Sequence, residues 1–177
     1  MGELAGGHIV LVGMMGSGKS TVGRALAQRL GRPFCDSDEL VEAATGQTVR
    51  EIFEQRGEAA FRREETAALR QALASPTPTV IAAAGGVVLS ADNRRVLSEA
   101  GVVVWLRAAP SVLAGRIQPS LAGGGHRPLL EKDPAATLLQ LDAERRPLYQ
   151  EVATITVDVD TMPVPEVVDV IVGALTS

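Results

Sequence analysis

The chain has 177 residues, of which 46% are hydrophobic and 21% are charged, and its formal net charge is −4. This length suits one α/β domain with a substantial core, so we expect residues 1–177 to form a single domain. The negative charge and an aromatic content of 3% argue against a nucleic-acid partner, which would require a basic face or stacking aromatics. The one cysteine, Cys35, excludes an internal disulfide, and two histidines are too few for a zinc cluster.

No apolar run approaches the length of a membrane span, and the N-terminus lacks the basic region of a signal peptide. We therefore expect a cytoplasmic protein that has no membrane partner. A small soluble molecule is the expected partner, and a monomer is the expected state.

Short β-rich runs alternate with helical patterns along the chain, as in a parallel sheet with crossover helices. The predicted strands are residues 8–12, 33–36, 79–83, 102–106 and 154–159. The predicted helices lie near residues 19–30, 38–44, 48–74, 90–99, 110–117, 134–148 and 164–175. Residues 118–130, QPSLAGGGHRPLL, show no period and contain three consecutive glycines, so we predict a mobile flap there.

The stretch GMMGSGKST at residues 13–21 lies between the first predicted strand and the first predicted helix. It satisfies G-x-x-x-x-G-K-[ST], the pattern of a phosphate-binding loop, in the structural context that this pattern requires. Backbone N–H groups around Gly16 and Gly18, with the positive end of the helix dipole, would hold the phosphates. Lys19 would neutralise the β- and γ-phosphates, and the Ser20 hydroxyl would ligate Mg²⁺. The alternative is a glycine-rich turn that matches the pattern by chance.

Two carboxylates, Asp36 and Asp38, follow the second predicted strand in FCDSDEL. Ligands of open α/β sheets bind beyond the carboxyl ends of the strands, so both carboxylates should lie near the phosphate loop. Residues two apart on an extended segment point the same way. Asp36 can thus face the water shell of a metal ion while Asp38 faces a second substrate. The alternative is that Asp38 only caps a helix beginning at Glu39, with Ser37 as a rival cap.

Six motifs occur in order along essentially the whole chain. They are GMMGSGKSTVGRALA at 13–27, D-S-D at 36–38, F-R-R-E-E at 61–65, G-G at 85–86, R-P-L-L at 127–130 and E-R-R-P-L-Y at 144–149. In identity and spacing this set resembles the shikimate kinases. The resemblance implies a P-loop kinase fold similar to the nucleoside monophosphate kinases. That fold has three layers, α/β/α, with a five-stranded parallel sheet of order 2-3-1-4-5, a substrate-binding subregion near residues 37–65 and a lid near residues 116–130.

The reaction that the resemblance implies is transfer of the γ-phosphate of ATP to the 3-hydroxyl of shikimate, a step of aromatic amino-acid biosynthesis. Residue by residue, the family's ATP loop matches Gly16, Ser17, Gly18, Lys19, Ser20 and Thr21, with Ser20 as the Mg²⁺ ligand. The family's shikimate-binding positions match Asp38, Arg62, Gly85, Gly86 and Arg145. Arg127 matches the lid arginine that reaches the phosphates, and Arg116 matches an arginine that stacks on adenine. Asp38, Lys19 and Arg127 are therefore the expected catalytic residues.

One position departs from the family's pattern. The family usually has three glycines after the third strand, and this chain has Ala84 at the first of them. Gly85 and Gly86 still permit close approach of the backbone to a substrate.

The chemistry of the implied substrate agrees with two of the arginines. Shikimate carries a carboxylate, which arginine can bind with two parallel hydrogen bonds. Arg62 borders the apolar face of its predicted helix, whereas Arg63 should be solvated. The alternative for Arg62 is an exposed ion pair with Glu58 or Glu65.

Arg145 interrupts an apolar stripe formed by Leu138, Leu141 and Leu148 at helical spacing. A charge is not placed against a core without a partner, so Arg145 should face the site. Arg146 follows Asp142 by four residues and should form an exposed ion pair with it.

Two other functions remain open. A kinase acting on an aminated shikimate, a cyclitol or gluconate would keep the phosphate loop and the lid, but would not require two carboxylate-binding arginines beside Asp38. A non-catalytic ATP-binding regulator would give no reason for Asp38 and Arg127. The two arginines favour shikimate as the substrate.

Overall fold

The structure, a computed structural model, describes residues 6–122 and 133–177. Its strands are β1 (His8–Val12), β2 (Phe34–Asp36), β3 (Val80–Ala82), β4 (Gly101–Arg107) and β5 (Ile155–Asp158). They pair in parallel into one sheet of order β2-β3-β1-β4-β5. The predicted sheet, its strand number and its order are confirmed.

Seven α-helices connect and cover these strands within the described residues. They are α1 (Lys19–Leu30), α2 (Ser37–Thr45), α3 (Val49–Leu73), α4 (Ala91–Glu99), α5 (Pro110–Ala122), α6 (Pro134–Val152) and α7 (Val164–Leu175). One group packs α1 against α7, and another packs α4 and α5 against α6. The layers are therefore α/β/α, as predicted. None of the helices in the described ranges is long and apolar enough to cross a membrane.

The main core lies around the central strand, β1, and its neighbour β3. Every residue of β1 and of β3 is buried, as expected for parallel strands covered by helices on both faces. Such strands are continuous apolar runs, and HIVLV is one. Because β1 is fully enclosed, the loop that follows it starts from a rigid base.

A second, smaller core lies between α2 and α3. Its buried members are Val41, Ile52, Phe61 and Ala68, and the rings of Phe53 and Phe61 are 4.7 Å apart between centroids. Three of the four lie within the predicted substrate-binding subregion, residues 37–65, and Ala68 lies just beyond it. The α2–α3 pair thus has apolar packing of its own.

Several elements differ from the prediction in their bounds or in their regularity. The predicted helix at 48–74 is kinked at Gly57, whose φ of 82° and ψ of 173° are not helical. A 3₁₀ helix, Val87–Leu89, follows the glycine pair and was not predicted. Helix α5 continues to Ala122 instead of ending near residue 117, because helical hydrogen bonding can propagate beyond the apolar stripe on which the prediction rested.

The predicted flap at 118–130 therefore begins inside a helix. Residues 118–122 belong to α5. The remainder of the flap and its Arg127 lie outside the described residues.

Candidate active site

A cavity of about 320 Å³ opens beyond the carboxyl ends of β1 and β3. The helix that follows β1 packs with α7 and the helix that follows β3 packs with α6, so the two connections diverge and leave a crevice. The lining comprises phosphate-loop residues, both predicted aspartates and the segment after β3: Met15, Gly16, Gly18, Lys19, Ser20, Thr21, Asp36, Asp38, Ala82, Ala83, Ala84 and Gly85.

The phosphate loop has the backbone that its glycines predict. Gly16 and Gly18 have φ values of 81° and 93°, a region that favours glycine. Helix α1 begins directly after Gly18, has no side-chain cap and has no acidic residue in its first turn. Its first N–H groups thus point at the cavity with the positive end of the dipole. The Lys19 ammonium crosses the loop, donating to the carbonyls of Gly13 at 2.8 Å and Met14 at 3.0 Å.

Ser20 and Asp36 form the oxygen pair of the site. The Ser20 hydroxyl donates to Asp36 Oδ2 at 2.5 Å, and Asp36 Oδ1 accepts from the backbone N–H of Asp38 at 2.9 Å. Within the described residues no group of three or more His, Cys, Asp or Glu side chains could hold a metal. One hydroxyl and one carboxylate nevertheless fit Mg²⁺, which commonly takes one or two protein oxygens and completes its shell with phosphates and water.

Asp38 lines the cavity, but its backbone conformation differs from the predicted one. It lies in the first turn of α2, not on an extended segment. The helix cap is Asp36, so neither Asp38 nor Ser37 is the cap. Both aspartates still line one cavity, because Asp36 ends the strand and Asp38 begins the helix. The predicted convergence is confirmed, and the capping alternative for Asp38 is wrong.

Arg62 forms ion pairs with both glutamates named as alternatives, but the pairs differ. Its Nη1 lies 3.0 Å from Glu65 and its Nη2 lies 3.1 Å from Glu58. The Glu65 side chain is only 2% exposed, so that pair is not a surface pair. Burial raises the pKa of Glu65 above its ordinary value, and the Arg62 charge partly offsets this. The sequence named Glu65 as a possible partner of Arg62 but gave no sign that its carboxylate is buried. Arg63 is exposed, as predicted.

The Gly85–Gly86 turn lies between the two predicted carboxylate-binding arginines. A Cβ placed at Gly86 would lie 2.0 Å from Arg62 Nη1, so only glycine lets this guanidinium rest on the backbone. A Cβ placed at Gly85 would lie 3.4 Å from Arg145 Nη1. The Ala84 N–H donates to the buried Ser37 hydroxyl at 2.9 Å. The turn thus keeps both close approaches despite the alanine.

The predicted substrate-binding residues divide between two cavities and the wall between them. Asp38 and Gly85 line the phosphate-loop cavity. Arg62 and Gly86 line a neighbouring cavity of about 470 Å³. Arg145 is 2% exposed and lies against the turn.

The phase of α6 is as predicted. Arg145 is buried, and Leu138 on the same stripe is fully buried. Arg146 forms the predicted pair with Asp142, through two hydrogen bonds of 2.9 Å and 3.1 Å. That pair is not exposed as predicted: the Asp142 side chain is only 13% exposed, and the Arg146 guanidinium lies over the buried Trp105 ring.

Arg116 lines a third cavity, of about 280 Å³, on the other side of the phosphate loop. Its guanidinium donates to the carbonyls of Val159 and Asp160. Ser17 lines the same cavity, and the opposite wall is largely apolar: Met162, Pro163, Val164 and Val167. The size and the apolar wall are compatible with a planar base, and the adenine role of Arg116 stays a prediction.

The fold and the phosphate loop together define a P-loop kinase: a parallel sheet of order 2-3-1-4-5 in which the loop after the central strand and two aspartates share one cavity. Within that class, the shikimate kinase family model matches residues 15–176. The chain belongs to the shikimate kinase family.

Individual relatives agree with this assignment. A shikimate kinase of Symbiobacterium thermophilum is 47% identical over 162 residues, covering 91% of each chain. The structure of a shikimate kinase from Acinetobacter baumannii in complex with shikimate superposes with a TM-score of 0.88 at 38% identity, covering 96% of this chain and 92% of that one. A gluconokinase from Sinorhizobium meliloti reaches 0.66 at 27% identity, covering 96% and 91%.

Proposed function

We propose that the protein transfers the γ-phosphate of ATP to the 3-hydroxyl of shikimate, giving shikimate 3-phosphate and ADP. The observation that carries this proposal is the position of two guanidiniums, Arg62 and Arg145, on the Gly85–Gly86 turn beside the Asp38 cavity. A small ring that bears a carboxylate and hydroxyls needs this combination of cationic forks and a hydrogen-bond acceptor.

The nucleotide would bind through the phosphate loop. The N–H groups at the start of α1 and the Lys19 ammonium neutralise the β- and γ-phosphates, which supplies charge stabilisation in a loose transition state. Ser20 directly, and Asp36 through water, would hold Mg²⁺. The chemistry that the bound ion would supply at these two residues is neutralisation of phosphate charge. Arg116 would contact the adenine in its own cavity.

The acceptor would be oriented by Asp38 and the two arginines. Arg62 and Arg145 fix the carboxylate, while the Asp38 carboxylate aligns the hydroxyl and accepts its proton late in transfer. We further propose that Arg127 approaches the phosphates from a lid and that closure excludes water, which would suppress ATP hydrolysis. The enzyme would work as a cytoplasmic monomer on small molecules alone.

A coupled ADP-release assay tests this function. We expect ADP release with shikimate, and little at the same concentration with a cyclitol, which has no carboxylate for the two arginines, or with gluconate, which has no ring. The Lys19→Ala variant should bring the rate with shikimate close to background, because the ammonium acts on phosphate charge and α1 does not need it. A higher kcat/KM with gluconate or a cyclitol would overturn the substrate assignment, and ADP release independent of any acceptor would overturn the transferase assignment.

A further inference from the structure

Tyr149, the only tyrosine of the chain, is fully buried behind the Gly85–Gly86 turn. Its hydroxyl donates to the carbonyl of Gly85 at 2.5 Å, joining α6 to the segment after β3. The tyrosine comes from the E-R-R-P-L-Y motif, whose Arg145 is the expected carboxylate ligand. The hydroxyl therefore contacts the backbone that the substrate is expected to meet.

Arg145 approaches the same spot from one helical turn earlier. A Cβ at Gly85 would lie 3.4 Å from Arg145 Nη1 and 3.6 Å from Tyr149 Oη. Burial raises the pKa of Tyr149 to about 12, with the Arg145 charge acting in the opposite direction. The phenol thus stays protonated at every physiological pH and remains a hydrogen-bond donor to the turn.

The turn is held from two sides. Ser37, at the start of α2, accepts from the N–H of Ala84, and Tyr149 on α6 donates to the carbonyl of Gly85. Two neighbouring residues of a glycine-containing turn are thereby restrained by side chains from opposite helices. The Trp105 ring stacks on the tyrosine at 5.8 Å between centroids, which limits motion of the phenol itself.

We infer that Tyr149 is a positioning residue for the acceptor substrate. Its hydroxyl holds the Gly85–Gly86 turn and the adjacent Arg145 guanidinium in the arrangement that receives the shikimate carboxylate. The inference rests on the proposed function, since it concerns the site at which shikimate would bind. A core tyrosine with only a packing role would affect stability without distinguishing between the two substrates.

Tyr149→Phe removes the hydroxyl and keeps the ring. We expect KM for shikimate to rise about tenfold, as for a loss of about 1.4 kcal/mol, while KM for ATP changes less than about twofold. Thr154→Val is the control, because the Thr154 hydroxyl accepts from the Val103 N–H at the start of β5, away from the turn. That variant should leave both KM values unchanged. Equal changes in the two KM values of Tyr149→Phe, or no change in either, would overturn the inference.

Because Tyr149 is the chain's only tyrosine, growth with 3-fluorotyrosine labels this one site, and the labelled protein does not depend on how Tyr149→Phe folds. The fluorine resonance should shift on saturation with shikimate, and an unchanged resonance contradicts the positioning role. Arg145→Ala is assayed in parallel. If it raises KM for shikimate while Tyr149→Phe does not, only the role of Tyr149 fails. A wild-type protein that does not phosphorylate shikimate overturns both the function and this inference.

Discussion

Asp38 is the residue at which charge and stability can be separated most cleanly. Asp38→Asn keeps the size of the side chain and removes the negative charge, while the helix cap at Asp36 stays in place. We expect turnover to fall by roughly two to four powers of ten with little change in KM for ATP. The unfolding free energy should fall by about 1 kcal/mol or less, because Asp38 lies in the first turn of α2, where a negative charge stabilises the helix. Steady-state kinetics and urea unfolding measure the two effects.

The adjacent acidic residue supplies the control for this substitution. Glu39 lies one position further along α2 and pairs with Arg24 on the surface at 2.8 Å. Glu39→Gln should therefore leave turnover near that of the wild type. Near wild-type turnover in Asp38→Asn would remove the aspartate from the chemistry.

The sequence predicted which residues line the site better than it predicted their backbone conformations and contacts. The phosphate loop and the aspartate pair were placed correctly because each lies next to the end of a predicted strand. The backbone conformation of Asp38 was not predicted correctly. The three-residue strand β2 ends at Asp36 and α2 begins at the next residue, so Asp38 is helical and not extended. The burial of Glu65 and the hydrogen bond from Tyr149 to Gly85 both depend on how distant segments pack, which periodicity cannot supply.

Among the elements, α3 carries a kink that depends on one glycine. Gly57 has a φ of 82° and a ψ of 173°, and a Cβ there would meet no atom within 4 Å, so the constraint is in the backbone alone. Gly57→Ala should lower the unfolding free energy by about 1–3 kcal/mol. Gly173→Ala in α7, an open position without a positive φ, should instead raise it by about 0.4–1 kcal/mol. Urea unfolding of the two variants measures both changes, and a stabilised Gly57→Ala would contradict the kink.

Helix α6 provides a comparison of two adjacent arginines. Arg145→Ala should reduce kcat/KM for shikimate by a factor equivalent to about 2–5 kcal/mol of transition-state stabilisation. The reason is that it removes one partner of a buried charge pair with the substrate. Arg146→Ala should leave these kinetics unchanged, because the Arg146 guanidinium pairs with Asp142 and not with the glycine turn. It should cost about 1–3 kcal/mol of stability, because the Asp142 side chain that loses its partner is only 13% exposed. Steady-state kinetics with varied shikimate measures the difference. A larger loss at Arg146 would mean that α6 binds substrate through its other face.

Element existence and type were predictable because apolar runs and 3.6-residue stripes are set by burial, which the sequence encodes directly. Breaks within elements were harder to predict from the sequence. A glycine in a helical pattern costs only about 1 kcal/mol, so the pattern alone does not distinguish a tolerated Gly57 from a kink. The 3₁₀ helix Val87–Leu89 directly follows the Gly85–Gly86 turn and is too short to show a periodic sequence pattern, so it could not be predicted in this way.

At the scale of the whole molecule, the buried Glu65 ties stability to pH. Burial raises its pKa, so the folded protein holds this proton to higher pH than the unfolded chain does. The group's contribution is fully present below the unfolded pKa and is lost as pH rises through the folded pKa. Wild-type protein should therefore gain stability relative to Glu65→Gln as pH falls from about 7 towards about 5. Urea unfolding across this range measures the gain, and Glu144→Gln on exposed α6 surface is the control. A difference that does not vary with pH would contradict the raised pKa.

Because Trp105 stacks on Tyr149, its fluorescence can report on the region of the glycine turn. Trp105 is the only tryptophan, is 3% exposed, and has the guanidiniums of Arg107 and Arg146 5.5 Å and 5.7 Å from its ring. Indole emission thus comes from a single side chain. That side chain stacks on Tyr149, whose hydroxyl donates a hydrogen bond to the Gly85 carbonyl. Unfolding would expose the indole to water and move its emission to longer wavelength. Occupancy of the acceptor site would change its intensity, so both folding and binding can be followed by fluorescence without a label.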